Sequence, residues 1–456
     1  MREITIYEYD TLVAGTPIVG GKAIPHEAYT WLEDYSLLLT AQEQPNWLKL
    51  TKTNGQKGIQ VTNFVGTIRC PGGFQIEILP KVGRTTTDNH KSTRQLLVDM
   101  LACTQWLKHI RIENAHLSAR KRPLLDVFIG EFLRAVGQLV KRGIRSDYVR
   151  QQDQLPVLRG KLVTAHFARN LLRPDQFLVD YDDYCPNRPE NRLLRTALGR
   201  ALAFTNSHTH QALARELYIN FSDIPDSSDI PGDLRRIRID RGMEYYNEAL
   251  IWARLLLQDL APDTEFGKLP TPSLLFPMER VFEEFVATYL RRQLVDHARL
   301  HTQACSEYLV KHLKNSWFRL KPDLLVRENG QNRLLLDTKW KLLDSTKSDG
   351  ASKYDLASSD FYQMFAYGQN YLHGIGDLVL IYPKTEIFSQ PLPVFQFPLA
   401  SELRLWVLPF CLKTRKLELP DDEKLCRFFR CSDPSMGQAA ADNAAQASSC
   451  IHGSPS

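Results

Sequence analysis

Two apolar runs flanking one short polar turn constrain this chain more than any other feature. Leu324-Leu325-Val326 and Leu334-Leu335-Leu336 bracket Glu328-Asn329-Gly330-Gln331-Asn332. That pattern reads as a β-hairpin. A turn centred on Gly330 sets Asp323 opposite Asp337. Like charges directly opposed in a sheet are destabilising, and such a pair persists most naturally with a cation between the carboxylates. Lys339, two residues past Asp337, points to the same strand face.

Two carboxylates and a lysine on one strand face are what metal-assisted phosphodiester hydrolysis requires. Hard oxygens hold Mg²⁺, and the lysine orients the attacking water and offsets charge developing on the phosphorane. A surface hairpin with scattered charges gives the same bare pattern, so the neighbouring segments decide. Upstream, residues 278–290 read as a helix with the apolar stripe Phe282, Phe285, Val286, Tyr289 and Leu290. At ~100° per residue, Glu279 falls in the buried arc, Glu283 on its flank and Glu284 opposite. A buried carboxylate needs a partner or a metal. Glu279 is therefore the expected third ligand, with Glu283 the substitute; a first-turn glutamate favoured by the helix dipole is the plain alternative. Downstream, Ser359 reads as the N-cap of a helix over 360–372. Gln363 and Tyr367 stack on one of its faces, placed to orient the lysine or a DNA phosphate.

The rest of the chain changes period twice. The first ~85 residues carry strand signals, with a hairpin expected from Phe64-Val65-Gly66-Thr67-Ile68-Arg69 through Cys70-Pro71-Gly72-Gly73 to Phe74-Gln75-Ile76-Glu77-Ile78-Leu79, and a short helix at 29–40. Helical spacing runs through 92–143, 190–204 and 245–260, with a loop at 225–233 and a linker marked by Ala261-Pro262-Asp263 and Pro270-Thr271-Pro272. Past Pro277 the order is helix, strands, helix, strand, an α/β unit. The predicted architecture is α+β and multidomain: a β-rich N-terminal domain 1–90, a mainly helical middle region 91–268, a C-terminal α/β domain 269–432, and a disordered tail 433–456.

Composition bounds the function. A length of 456 residues suggests two or three domains. No apolar stretch approaches the ~20 residues of a membrane span, and the start lacks a secretory apolar core, so a cytoplasmic protein with no membrane partner is expected. The eight cysteines show no CxxC spacing and read as reduced thiols. A net charge of +5 is weak for a dedicated nucleic-acid binder. Basic groups at Arg120-Lys121-Arg122, Lys141-Arg142 with Arg145, Arg235-Arg236 with Arg238 and Arg241, and Arg291-Arg292 are candidates for phosphate contacts. Residues 15–23 imitate a P-loop, but the first glycine is one place too far out and Ala23 stands where Ser or Thr would bind Mg²⁺. His208-Thr209-His210 has no further ligands at a recognisable spacing.

The ordered set of a Glu-bearing helix, Pro322-Asp323, Asp337-Thr338-Lys339 and Gln363-x-x-x-Tyr367 resembles the PD-(D/E)xK nuclease superfamily. Further words narrow the likeness: Ile76-Glu77-Ile78-Leu79-Pro80-Lys81, Arg159-Gly160-Lys161, Asn187-Arg188-Pro189-Glu190-Asn191-Arg192, Met278-Glu279-Arg280-Val281-Phe282-Glu283, and Asp360-Phe361-Tyr362-Gln363-Met364-Phe365-Ala366-Tyr367. Together they look like the McrC family, the nuclease subunits of McrBC modified-cytosine restriction systems. The resemblance spans roughly residues 1–430. It implies a PD-(D/E)xK endonuclease domain at 269–432, with Asp323, Asp337 and Lys339 catalytic, Glu279 and Gln363 supporting them, and Mg²⁺ held by Asp323, Asp337 and Glu279. It also implies an AAA+ GTPase partner, McrB-like, that binds GTP in place of this chain. The N-terminal domain would dock on that partner and stimulate it, and double-stranded DNA carrying modified cytosine would be the substrate. Two rivals stay open: a non-catalytic docking regulator of the GTPase, and a nuclease working without that partner.

Overall fold

A computed structural model of the chain describes residues 3–41, 47–85, 89–105, 107, 123–163, 176–257 and 273–430. The basic run 120–122, the linker residues 261–263 and 270–272 and the tail 433–456 lie outside the described residues. The fold is α+β, in two compact units, Met1–Val281 and Phe282–Ser456.

The first unit opens with β1 (Glu3–Tyr7), β2 (Thr11–Ala14), β3 (Gly21–Ile24), α1 (His26–Ala41), β4 (Leu48–Thr53), β5 (Gln56–Val61), β6 (Phe64–Arg69) and β7 (Gln75–Leu79). The expected hairpin is present: β6 and β7 pair antiparallel from Gly66 opposite Ile78 to Arg69 opposite Gln75. One core joins Ile6, Leu12, Leu32, Trp47, Ile59, Ile68 and Ile76. Residues 15–23 run through the β2–β3 connection into β3, not from a strand into a helix N-terminus as a phosphate loop does.

Helices α2 (Asn89–Ala102) and α3 (Leu124–Arg142) follow, then β8 (Asp147–Leu155), β9 (Lys161–Leu162), β10 (Phe177–Cys185), and α4 (Pro189–Phe204), α5 (His208–Ile219), α6 (Ile230–Arg236) and α7 (Asn247–Leu257). The β8–β10–β9 sheet was not anticipated. Its strands interleave charges on both faces, Arg150 bonding Asp180 at 2.7 Å, so no apolar alternation announces them. The loop expected at 225–233 gives way at Ile230 to α6, which Asp229 caps through the Gly232 amide at 3.0 Å. Strand β11 (Ser273–Pro277) then joins the edge of β6. Gly66 sits there at φ 133°, where a Cβ would stand 1.8 Å from the Leu274 carbonyl oxygen, so only glycine permits this approach.

Glu77, from the Ile76–Lys81 word, is buried in this unit. Arg94 grips it twice, both at 2.7 Å, Thr5 donates at 2.8 Å and the Leu124 amide at 3.0 Å. The carboxylate thus ties β7 to α2 and to the start of α3, where the helix dipole favours negative charge.

The division between the units falls inside α8 (Met278–Gln293). The second unit continues with β12 (Ala298–Thr302), β13 (Tyr308–His312), β14 (Asn315–Arg319), β15 (Leu324–Glu328), β16 (Gln331–Thr338), α9 (Ser358–Leu372), β17 (Gly376–Pro383), β18 (Phe395–Phe397), β19 (Ala400–Cys411), β20 (Lys416–Leu417) and α10 (Glu423–Cys426). The main sheet has the order β12-β15-β16-β17-β19-β18. β16, β17 and β19 are parallel and buried along continuous apolar runs, as parallel strands covered on both faces are. α9 is the crossover between β16 and β17. It begins one residue before the expected cap: Ala357 precedes it with no side-chain cap, and Ser359 lies within the helix.

The β15–β16 hairpin turns at Asn329 and Gly330, both at positive φ (51° and 80°). Glu328 faces Gln331, a bulge follows between Val326 and Arg327, and beyond it Leu324 faces Leu336. No helix among the described residues is long and apolar enough to cross a membrane. The six described cysteines are free thiols.

Candidate active site

Groups that act on ligands gather at the carboxyl ends of parallel strands, and β16 ends with Asp337 and Thr338. The Lys339 amide donates to the Ile381 carbonyl at 2.9 Å, continuing the β16–β17 register past the strand end. Lys339 therefore keeps the face of Asp337, and its ammonium forms a close ion pair with Asp337 Oδ2. The same Nζ donates to Gln363 Oε1 at 3.0 Å. Gln363 Nε2 donates to the Tyr367 hydroxyl at 2.7 Å, and that hydroxyl donates to the Lys321 carbonyl at 3.0 Å. The relay fixes which way the Gln363 amide faces, with its oxygen toward the lysine.

Asp323 stands just before β15. One of its carboxylate oxygens accepts from the Thr338 amide at 2.8 Å and the Thr338 hydroxyl at 2.7 Å. Its carboxylate thus lies beside residue 338, close enough for its charge to act on Asp337. Asp337 is 1% exposed. Burial, and then repulsion from Asp323, pushes its carboxyl up to about 7, against the opposing pull of Lys339. Burial also raises Asp323, opposed by the two Thr338 hydrogen bonds. The two acids titrate as a pair. Burial pulls Lys339 down, but the charges of Asp337, Asp323 and Asp360 outweigh it and hold the ammonium above its usual range.

Asp360 is a member of this group that sequence reasoning missed. It is buried, accepts from Lys341 Nζ at 3.0 Å and from the Tyr382 hydroxyl at 3.2 Å, and its charge reaches both Asp337 and Lys339. The signal was available: Asp360 and Gln363 are three apart, so they share a helix face.

Glu279 is placed differently from expectation. It is exposed, and its charge bears on Tyr9 within the first unit, where it adds to burial and Glu8 in raising that phenol. The stripe read from the sequence left out Met278 and Val281, both fully buried. With them the covered face turns away from Glu279, and it continues through Phe282, which packs on Trp340 and Phe410. Glu283 is half-buried, and Gln303 Nε2 reaches its Oε1 at 3.4 Å. The Gln303 amide in turn donates to the Asp323 carbonyl at 2.8 Å, so one residue separates Glu283 from Asp323.

Asp337 Oδ2 is buried and paired with the Lys339 ammonium. Two desolvated, mutually repelling carboxylates suit a hard divalent cation. Among the described residues no group of three or more His, Cys, Asp or Glu side chains converges on one point. Mg²⁺ commonly takes only one or two carboxylates and completes its shell with water and phosphate oxygens, so this donor set fits it. The pair at His208 and His210 opens α5 and belongs to no such group. Of the basic candidates, Lys141, Arg142, Arg145, Arg235, Arg236, Arg238, Arg241, Arg291 and Arg292 are all exposed.

A family model described as McrBC 5-methylcytosine restriction system component matches residues 59–383. No curated protein matches the chain. Among solved structures, one similar chain comes from a refined half-complex of the tetradecameric assembly of Thermococcus gammatolerans McrB AAA+ hexamers with bound McrC. Its TM-score is 0.62 at 19% identity, over 93% of this chain and 98% of that one. Another comes from the cryo-EM structure of the Thermococcus gammatolerans McrBC complex, with TM-score 0.47 and 21% identity over 64% of this chain and 87% of that one. The first likeness establishes a shared fold.

Proposed function

This chain belongs to the family of McrBC 5-methylcytosine restriction system components, and on that premise we propose that it is the DNA-cutting subunit of such a system. The observation that carries the reading is the group Asp323, Asp337 and Lys339 at the end of β16, its lysine held by Gln363. The second unit is then a PD-(D/E)xK nuclease domain, working in the cytoplasm on double-stranded DNA that carries modified cytosine. An AAA+ GTPase of the McrB type is its partner, and binds the GTP. That choice is supported by the family and by the assembly in which its fold neighbour was solved, where McrB AAA+ hexamers carry McrC. The N-terminal strands dock on the partner and stimulate it.

Asp323 and Asp337 would hold Mg²⁺, with Glu283 in the role first assigned to Glu279. A Lewis acid for the scissile phosphate is the chemistry Mg²⁺ supplies when held there. The Thr338 bonds fix one oxygen of Asp323 and leave the other to the site. Lys339, aimed by Gln363, donates to the attacking water and offsets the negative charge that grows on the phosphorane. Tyr367 keeps the Gln363 oxygen toward that lysine. Asp360 holds Lys341 and Tyr382 beside the pair and adds to the field that keeps Lys339 charged.

The test is cleavage of methylated and unmethylated DNA with Mg²⁺, GTP and the partner each added or omitted. Cutting requires all three and methylated DNA, and Asp337→Ala abolishes it while stimulation of the partner's GTPase survives. Full cutting by Asp337→Ala removes the assigned site. GTPase stimulation by a wild-type chain that never cuts makes it a docking regulator. Cutting by the isolated chain without GTP makes it a stand-alone nuclease.

A further inference from the structure

Between β12 and β15 the chain leaves the main sheet and forms a separate two-stranded ribbon, β13–β14. Every residue from Leu309 to Arg319 is exposed. The surface includes Leu309, Val310, Trp317, Phe318 at 68% and Leu313 at 90%. An isolated hairpin in water is marginal, and this much apolar surface on so small an element marks a contact site.

The ribbon's charge selects the partner. From Tyr308 to Arg319 there are Lys311, Lys314, Arg319 and His312 and no Asp or Glu. One face carries Tyr308 opposite Arg319, Val310 opposite Trp317 and His312 opposite Asn315, with the arginine over the Tyr308 ring and His312 packed on Trp317. A second copy meeting this ribbon across a two-fold axis would bring like charges together. A polyanion with flat apolar groups in its grooves meets both features, because cations take phosphates and aromatic or apolar side chains take bases. At the tip, Leu313 holds φ 53°, a conformation that turn chemistry gives to Asn or Gly. A bulky residue kept there against strain points to a role in contact.

The ribbon is also tied to the site. Tyr371 donates to the Leu320 carbonyl at 3.0 Å and Tyr367 to the Lys321 carbonyl at 3.0 Å, so the helix that aims Lys339 also clasps the ribbon's base. Five residues from Phe318 to Asp323 span at most about 17 Å, half the ~34 Å of one DNA turn.

We propose that the β13–β14 ribbon enters a groove of the duplex beside the cut site, with Lys311 and Lys314 on phosphates and Leu313 and Trp317 against the bases. This rests on the nuclease reading above and extends it. The test is binding of a short labelled duplex by the full chain at several salt concentrations with EDTA present, alongside partner-dependent cutting. The double variant Lys311→Ala/Lys314→Ala weakens binding roughly ten- to a hundredfold at about 0.1 M salt and lowers the salt slope by about 2. Trp317→Ala weakens binding several-fold with the slope unchanged. Leu313→Gly relaxes the backbone, so its melting temperature holds or rises while affinity falls. If all three variants bind as wild type does, the ribbon proposal is overturned and the nuclease reading stands. If they keep wild-type binding but change self-association in light scattering, the ribbon's occupant is a second copy and the proposal is wrong. If the wild-type chain neither binds nor cuts duplex DNA, the nuclease reading fails and takes the proposal with it.

Discussion

Thr338 donates twice to a single carboxylate oxygen of Asp323, from its amide at 2.8 Å and its hydroxyl at 2.7 Å. The pair orients the acid and opposes the rise that burial imposes on it. Thr338→Val keeps the shape and the amide bond and removes only the hydroxyl. Stability falls by about 1 kcal/mol. The Asp323 carboxyl rises further, so the acid limb of the cutting profile moves to higher pH while the rate at alkaline pH stays near wild type. A profile that does not move sinks this account of Asp323.

Asp337 makes metal-free stability depend on pH. Its carboxyl lies near 7 in the folded chain against an ordinary value of 3.8, so the folded state keeps a proton that the unfolded state has lost. That contribution is fully present below about pH 4 and disappears as pH rises through about 7. Asp337→Asn removes the penalty of ionising there. In EDTA it is expected to unfold at higher denaturant than wild type at pH 8 and not at pH 5. The gain is on the order of 1–3 kcal/mol, trimmed by the lost pairing with Lys339. Mg²⁺ stabilises wild type and leaves the variant unmoved. A variant less stable than wild type at pH 8 contradicts the reasoning.

On the proposed mechanism Gln363 acts on the chemistry through Lys339, which it holds by a hydrogen bond. Gln363→Ala frees the ammonium from its 3.0 Å partner, and a misaimed group of this kind costs about 10²-fold in rate. Tyr367→Phe shifts the rate the same way but less, since it only lets the Gln363 amide turn. Single-turnover cutting reads the loss, and duplex affinity is unchanged in both. Equal losses in affinity and rate would make Gln363 a DNA contact.

Glu77 shows that a family word can be architecture. Glu77→Ala leaves the half-buried Arg94 without its carboxylate and orphans the Leu124 amide, a loss of about 3 kcal/mol. Chemical denaturation checks it. A loss below 1 kcal/mol, which is typical of exposed pairs, would show that solvent replaces the bonds.

How much of the site was legible depended on how local its signals were. Asp323, Asp337 and Lys339 could be brought together because two apolar strands and an Asn-Gly turn fix register within a few residues. Even so, two offsets cancelled. The turn sits at Asn329–Gly330, half a residue earlier than a centre at Gly330, and the Val326/Arg327 bulge restores the Leu324–Leu336 pairing. Gln363 and Tyr367 followed from helical spacing alone. Asp360 did not, because a first-turn acid needs no further explanation until the fold sets Lys341 and Tyr382 against it. The β8–β10 ribbon escaped because its charges lie on both faces. Glu279 was misplaced for a different reason: the stripe was drawn without Met278 and Val281, whose burial turns the covered face away from it.

That failure yields a discriminating experiment. Glu283 is linked to Asp323 through Gln303, whereas Glu279 is exposed and acts on Tyr9. Glu283→Gln keeps the amide-linked geometry and removes a charge that would help attract and orient a divalent cation. The expected result is a 10–100-fold higher Mg²⁺ requirement for cutting, the range for losing a residue that supports metal ligands, with the rate at saturating Mg²⁺ largely recovered. Glu279→Gln leaves the Mg²⁺ titration where it was. The opposite ranking would return Glu279 to the metal site.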